Sequence, residues 1–203
     1  VLSGTHEWFV MVGGIGVITL LMGAYFALWQ HDLKGLLAYS TISHLGLITL
    51  LFGLGTPLGA VAGVFHIMNH AVFKASLFMA AGIIDHECGS RDMRKLNGLV
   101  KYMPHTAALA IVSAAAMAGV PLLNGFISKE MFFQEALDLG WLGGVGAALP
   151  VAAVLAGVGP VAYSCRFIHD VFFNGEPIGL EHTPHEPPRW MKVPVEVLVA
   201  LCI

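Results

Sequence analysis

Charge is scarce in this sequence: Asp, Glu, Lys and Arg together make up 11% of its 203 residues. A soluble domain carries about 25%. With 57% hydrophobic residues and a mean hydropathy of +0.77, the composition excludes a soluble globular protein, a disordered segment and a collagen-like fibre. Positive charge is too sparse for nucleic-acid binding, since the formal net charge is -3 and no basic face is available. Cysteine is scarce too. Cys88, Cys165 and Cys202 stand far apart, which excludes a paired disulfide framework and a Cys-x-x-Cys metal site. They read as free thiols. Residues 1–7 lack the basic stretch of a signal peptide, and the first residue is not Met. The last apolar run, 193–203, is too short to cross a bilayer. The chain therefore reads as an internal piece of a longer membrane protein.

Long apolar runs are what the sequence does have. They cover 8–29, 36–55, 58–84, 105–137 and 143–173, and a further one starts near 193. A spanning helix needs about 20 such residues, and barrel strands would alternate, which these runs do not. The expected fold is all-α and integral to the membrane: five complete transmembrane helices plus the start of a sixth. Trp8 and Trp29 bracket the first run, where interfacial anchors belong. Following the chain, the loops at 31–34, 85–104 and 174–192 fall on one side. The loops at 55–57 and 138–142 fall on the other. Lys34, Arg91, Arg94, Lys95, Lys101, Arg189 and Lys192 lie on the first side, and Arg166 sits near that end of the fifth run. The opposite side has no Lys or Arg. The positive-inside rule makes the basic side cytoplasmic.

Two cations remain inside the spans, Lys74 and Lys129. A charge at the bilayer centre costs about 2.5–3.5 kcal/mol on insertion scales, so each needs a reason. His66, His70 and Lys74 recur every four residues in the third run. On a helix they share one stripe climbing about 12 Å, with Asn69 one position off it. His exchanges protons near neutral pH, and a desolvated Lys can do so as well. The spacing points to a proton ladder. The alternative is a set of structural hydrogen bonds with Lys74 reaching for the interface. A metal or haem site on His66 and His70 lacks a third ligand, so neither metal nor cofactor is expected.

The fourth run is too long for a straight span, at about 33 residues against the roughly 20 required. Gly119, Pro121, Asn124 and Gly125 loosen its middle, which predicts a helix broken at mid-membrane. Broken helices free backbone groups to line a polar cavity. Lys129 stands just beyond the break with Glu130 beside it. Adjacent helical residues point apart, so the two pair poorly, and Lys129 reads as a titrating group. His44, in the second run behind Tyr39, Ser40, Thr41 and Ser43, could extend the polar axis toward the basic side. The stretch Gly13, Gly14, Gly16 reads as close helix packing, and Pro150, Gly157, Gly159 and Pro160 as bends. Glu181, His182, His185 and Glu186 resemble a metal cluster on paper, but the prolines around them point to an extended, solvated loop.

The residues 32–46, from Asp32-Leu33-Lys34-Gly35 to Ser43-His44-Leu45-Gly46, resemble a signature of the antiporter-like membrane subunits shared by respiratory complex I and the Mrp-type cation/proton antiporters. Phe65-His66-x-x-Asn69-His70-Ala71-x-Phe73-Lys74 and Gly125-Phe126-x-Ser128-Lys129-Glu130 match the same superfamily. The loop from Asp85 to Leu96 is similar to that of the large A-type subunit of Mrp antiporters, PhaA-like in potassium/proton systems. The resemblance implies a whole protein of fourteen or more spans built from two inverted five-helix repeats. This chain would hold the second repeat over 1–173, a cytoplasmic loop over 174–192 and the start of the next helix over 193–203. It implies a bacterial inner-membrane component of a multisubunit antiporter, working with partner subunits and moving protons against sodium or potassium. Protons would pass along Lys74, His70, His66, His44, Lys129 and Glu130. Two alternatives stand beside it. One is the proton-pumping L-like subunit of an NADH:quinone oxidoreductase, against which the 85–96 loop argues. The other is a structural membrane subunit with no ion path of its own.

Overall fold

The computed structural model describes residues 5–140, 149–180 and 182–203. Among these the secondary structure is helical, apart from one antiparallel bridge between Asp32 and Asp92. Helix α1 runs over His6–Trp29 and contains a π-helical turn at Phe9–Gly13. Helix α2 is Leu33–Gly53 and α3 is Pro57–Cys88. The fourth run forms two helices, α4 at Pro104–Ala118 and α5 at Asn124–Gly140. Helix α6 covers Leu149–Phe173 and α7 covers Arg189–Ala200. Helices α1, α2, α3 and α6 are each long and apolar enough to cross a membrane.

Local chemistry sets the boundaries. The Asp32 carboxylate accepts the Gly35 N–H at 2.7 Å and caps α2. The Thr56 hydroxyl accepts the Gly59 N–H at 3.0 Å and caps α3, with Pro57 in the first turn. Gly89, at φ 64°, closes α3. Just after Pro104, two N–H groups in the first turn of α4 donate to the Glu186 carboxylate. The close packing read from the first glycine cluster is present: a Cβ on Gly16 would stand 2.5 Å from the Leu50 nitrogen on α2.

Two apolar clusters hold the bundle together. One gathers Leu36, Leu37, Phe73, Leu77, Tyr163 and Phe167 from α2, α3 and α6. The other gathers Leu20, Leu50, Leu51, Phe132 and Ala153 from α1, α2, α5 and α6. Ile15, Ile18, Met22, Val61, Met68, Val154 and Val158 face outward, as suits a bundle solvated by lipid or further helices.

The basic loops meet on one side. Leu33 N–H donates to Arg91 O at 2.8 Å, Arg91 pairs with Asp32, Lys34 with Asp85, and Lys101 with Glu176. His185, in the segment after α6, reaches this side too, with Nε2 3.0 Å from Glu87. Several boundaries differ from the expected ones. Helix α3 carries on through Asp85, His86 and Glu87 to Cys88, since nothing breaks it before Gly89. Helix α7 begins at Arg189 rather than 193, because the polar residues after Pro188 are already helical. Helix α5 reaches Gly140, into the expected 138–142 loop, and residues 141–148, the rest of that loop and the beginning of the fifth run, lie outside the described residues.

Candidate functional site

The break in the fourth span builds the site. Helix α4 stops at Gly119, which adopts φ 86°, a conformation open to glycine at little cost. The N–H groups of Gly119 and Val120 return to Ala115 O, and residues 119–123 carry the chain round to Asn124. The carbonyls of Met117 and Ala118, at the end of α4, point into the break. Lys129 Nζ donates to both, at 2.8 Å each. The Lys129 side chain folds back across the break and is only 6% exposed. Two glycines make room for this. A Cβ on Gly119 would sit 2.7 Å from Lys129 Cδ, and one on Gly125 would sit 2.0 Å from Ala116 O.

The break is braced from two directions. Asn69 Nδ2 on α3 donates to Asn124 O at 2.8 Å. Just past the end of α7, Cys202 O accepts the Asn124 N–H at 2.8 Å. Asn69, one position off the histidine stripe, thus serves the break itself. Pro121 lies exposed within the turn, followed by Leu122 at φ 75°.

A chain of polar side chains crosses from α2 through α3 to α5. His44 Nδ1 lies 3.0 Å from His66 Nε2, and His66 Nδ1 lies 2.8 Å from Ser128 Oγ. His44 and His66 are buried, with stacked rings 5.2 Å apart. Tyr163 OH on α6 closes the far end, 3.1 Å from His44 Nε2. Each of these two imidazoles has a hydrogen-bonding neighbour on both ring nitrogens, so each can pass a proton from one to the other. The third histidine, His70, stacks obliquely on His44 at 5.4 Å, and its buried Nε2 has no hydrogen-bond partner among the described residues. One turn further, Lys74 Nζ donates to Leu37 O at 3.1 Å and to the Ser40 hydroxyl.

The structure therefore brings together Lys74, His70, His44, His66 and Lys129 around one buried axis. Glu130 does not join it. Its side chain is exposed and makes no hydrogen bond or ion pair among the described residues, because one helical step turns it away from Lys129. Sequence reading missed Tyr163, the role of Ser128 as the link to α5, and Ser40 as the partner of Lys74. The pairs Ser128–His66 and Ser40–Lys74 join residues 62 and 34 positions apart. No local spacing encodes them. Among the described residues no group of three His, Cys, Asp or Glu side chains could hold a metal ion, and Glu181 lies outside the described residues.

Residues 2–156 match the family described as NADH:quinone oxidoreductase/Mrp antiporter, TM. The chain belongs to this family. A probable K(+)/H(+) antiporter A/B subunit of Rhizobium meliloti is 63% identical over 203 residues, covering 100% of the chain and 20% of the relative. A Na(+)/H(+) antiporter A-type subunit of Bacillus subtilis is 41% identical over 214 residues, covering 97% of the chain and 27% of the relative. The structure of the Mrp complex from Dietzia superimposes with a TM-score of 0.86 at 39% identity, over 99% of this chain and 21% of that one. The resemblance to the large Mrp-type subunit, read from the 85–96 loop, is borne out, as are the all-helical membrane fold and the broken span. The chain spans only about a fifth to a quarter of the length of these relatives.

Proposed function

We propose that this chain is the second antiporter-like repeat of the large A-type subunit in a multisubunit Na+/H+ or K+/H+ antiporter. The observation that carries the reading is the setting of Lys129: a buried ammonium at a helix break, held by two backbone carbonyls and, among the described residues, by no carboxylate. An ammonium bound only by neutral acceptors can lose its proton without stranding a negative partner. It stands one residue beyond Ser128, which ends the His44–His66 chain. Lys74, on Ser40, stands one turn beyond His70, beside that chain rather than hydrogen-bonded into it. A charge arriving at one lysine changes the electrostatic energy of the next across a low-dielectric gap, which couples proton movement along the axis. The names of the relatives support cation/proton exchange and partner subunits. The side bearing Lys34, Arg91, Arg94, Lys95 and Lys101 faces the cytoplasm of a bacterial cell.

The test uses inside-out vesicles in which the full-length protein is assembled with its partners. A pH-sensitive dye reports an imposed gradient, and sodium or potassium chloride is then added. Wild type is expected to collapse the gradient on addition of cation, and assembled Lys129→Ala is expected to hold it. Normal exchange by Lys129→Ala would remove Lys129 from the path. A gradient that ignores cations but is built on addition of NADH would assign the chain to the respiratory arm of the family.

A further inference from the structure

Helices α3 and α5 run antiparallel and meet through a ladder of polar contacts. Asn69 meets Asn124, His66 meets Ser128, and at the end nearest the 55–57 turn Thr56 Oγ1 donates to Glu135 Oε2 at 2.9 Å. Ser128, Phe132 and Glu135 follow the i, i+4, i+7 spacing of one helix face. Glu135 is 6% exposed, and no cation pairs with it among the described residues. A buried carboxylate with a single neutral partner is costly unless it serves a purpose. The Thr56 hydroxyl that holds it belongs to a residue lining a cavity of about 610 Å³ on the side opposite the basic loops, with Trp8, Phe52, Gly55, Pro57 and Ala60. Between Glu135 and Ser128 lies an apolar layer: Phe132, 2% exposed, packs in one cluster with Ala62, Leu51 and Leu54. Seven helical residues put Glu135 about 10 Å along the axis from Ser128.

We propose that Glu135 is the proton-accepting group serving the side opposite the basic loops, and that Phe132 is the barrier separating it from the His66–Ser128 pair. The inference rests on the proton-exchange reading above and extends it to a second site. The step is balanced: the carboxylate takes one proton from the buried chain, becomes the neutral acid, and returns that proton to water at the Thr56 cavity. Movement of the Phe132 ring sets when the two sites communicate. In the opposite direction of exchange the same carboxylate loads the chain from that side.

The test uses the same vesicles with the assembled full-length complex. Glu135→Gln keeps an oxygen for the Thr56 hydroxyl but cannot take up a proton. Exchange is expected to fall at least about tenfold, toward the range typical of a lost acid–base group, with assembly unchanged. Glu135→Asp is expected to recover part of it. Wild-type exchange in Glu135→Gln overturns the proposal and leaves the role of Lys129 intact. Absence of cation-dependent exchange in wild type instead sinks the broader reading, and this one with it. Should Glu135→Gln fail to assemble, Phe132→Ala decides. The gradient is expected to decay several-fold faster before any cation is added, and a gradient held as long as in wild type overturns the barrier.

Discussion

The cations of this protein live in two settings. On the basic side several face carboxylates: Lys34 stands 2.6 Å from Asp85, Arg91 2.7 Å from Asp32, Arg94 2.8 Å from Asp92 and Lys192 3.2 Å from Glu186. Inside the bundle, Lys74 and Lys129 donate to carbonyl and hydroxyl oxygens and to no carboxylate among the described residues. Lysine occurs in both settings, and the partner differs. A carboxylate fixes the charge, and the ion pair then works as a clamp between loops. The Arg94 guanidinium beside Asp92 shows how a pair fixes charge, holding that carboxyl down at about 2. A neutral cradle orients the ammonium without fixing its charge. The first setting suits architecture and the second suits proton exchange.

The most severe way to break the contrast is to give a buried lysine the partner it lacks. Ser40→Asp would set a carboxylate against Lys74 and stabilise the ammonium by roughly 1.4–4 kcal/mol, the energy of a close ion pair of this kind. Exchange by the assembled complex is expected to fall about tenfold or more in the vesicle assay. Wild-type rates would mean that Lys74 does not change charge during turnover.

Next in size is damage to the neutral cradle itself. Gly119→Ala forces a Cβ into the left-handed region and against Lys129 Cδ at 2.7 Å. The strain is about 1–2 kcal/mol. A lower melting temperature is expected, with exchange reduced several-fold because Lys129 leaves the Met117 and Ala118 carbonyls. An unchanged melting temperature and rate would show that the break tolerates a side chain there.

On the basic side the effects should be small. Lys34→Gln removes one half-exposed ion pair, worth about 0–1 kcal/mol. Exchange is expected to stay within twofold of wild type, and a larger loss would place Lys34 on the path. The acid response of the segment before α7 is subtler. Burial works against the Glu186 charge, but the Thr106 N–H, the Lys192 ammonium and the His105 N–H together hold its carboxyl below the ordinary 4.5. A depressed carboxyl contributes its full stability above the unfolded value and loses it as pH falls through the lowered one. Limited proteolysis is expected to leave 182–188 intact at neutral pH and to cut it faster as the pH drops below that ordinary value. Equal cutting at both would show that Glu186 does not hold the segment.

The two settings were not equally legible in the sequence. The stripe of His66, His70 and Lys74 follows from a spacing of four, and the break follows from Gly119, Pro121, Asn124 and Gly125 in an overlong span. The partners of Lys129 are backbone carbonyls, which carry no residue identity, so nothing in the sequence names them. Glu130 drew attention as the nearest carboxylate along the chain, yet helical geometry turns it outward, while Glu135 reaches the interior one full turn and more beyond. Tyr163 meets His44 across 119 positions. Only the packing of α6 against α2 creates that contact. Local periodicity reveals which face is polar; which polar groups touch is decided by helix packing.

The most direct measurement of the central claim is cation-driven collapse of the gradient by the assembled complex carrying Lys129→Arg. Arginine can still donate to the Met117 and Ala118 carbonyls, but it does not release its proton in a protein. If Lys129 works by changing charge, the variant assembles and fails to exchange. If Lys129 only ties the broken helix together, the variant exchanges at close to the wild-type rate, and the role assigned to the neutral cradle is wrong.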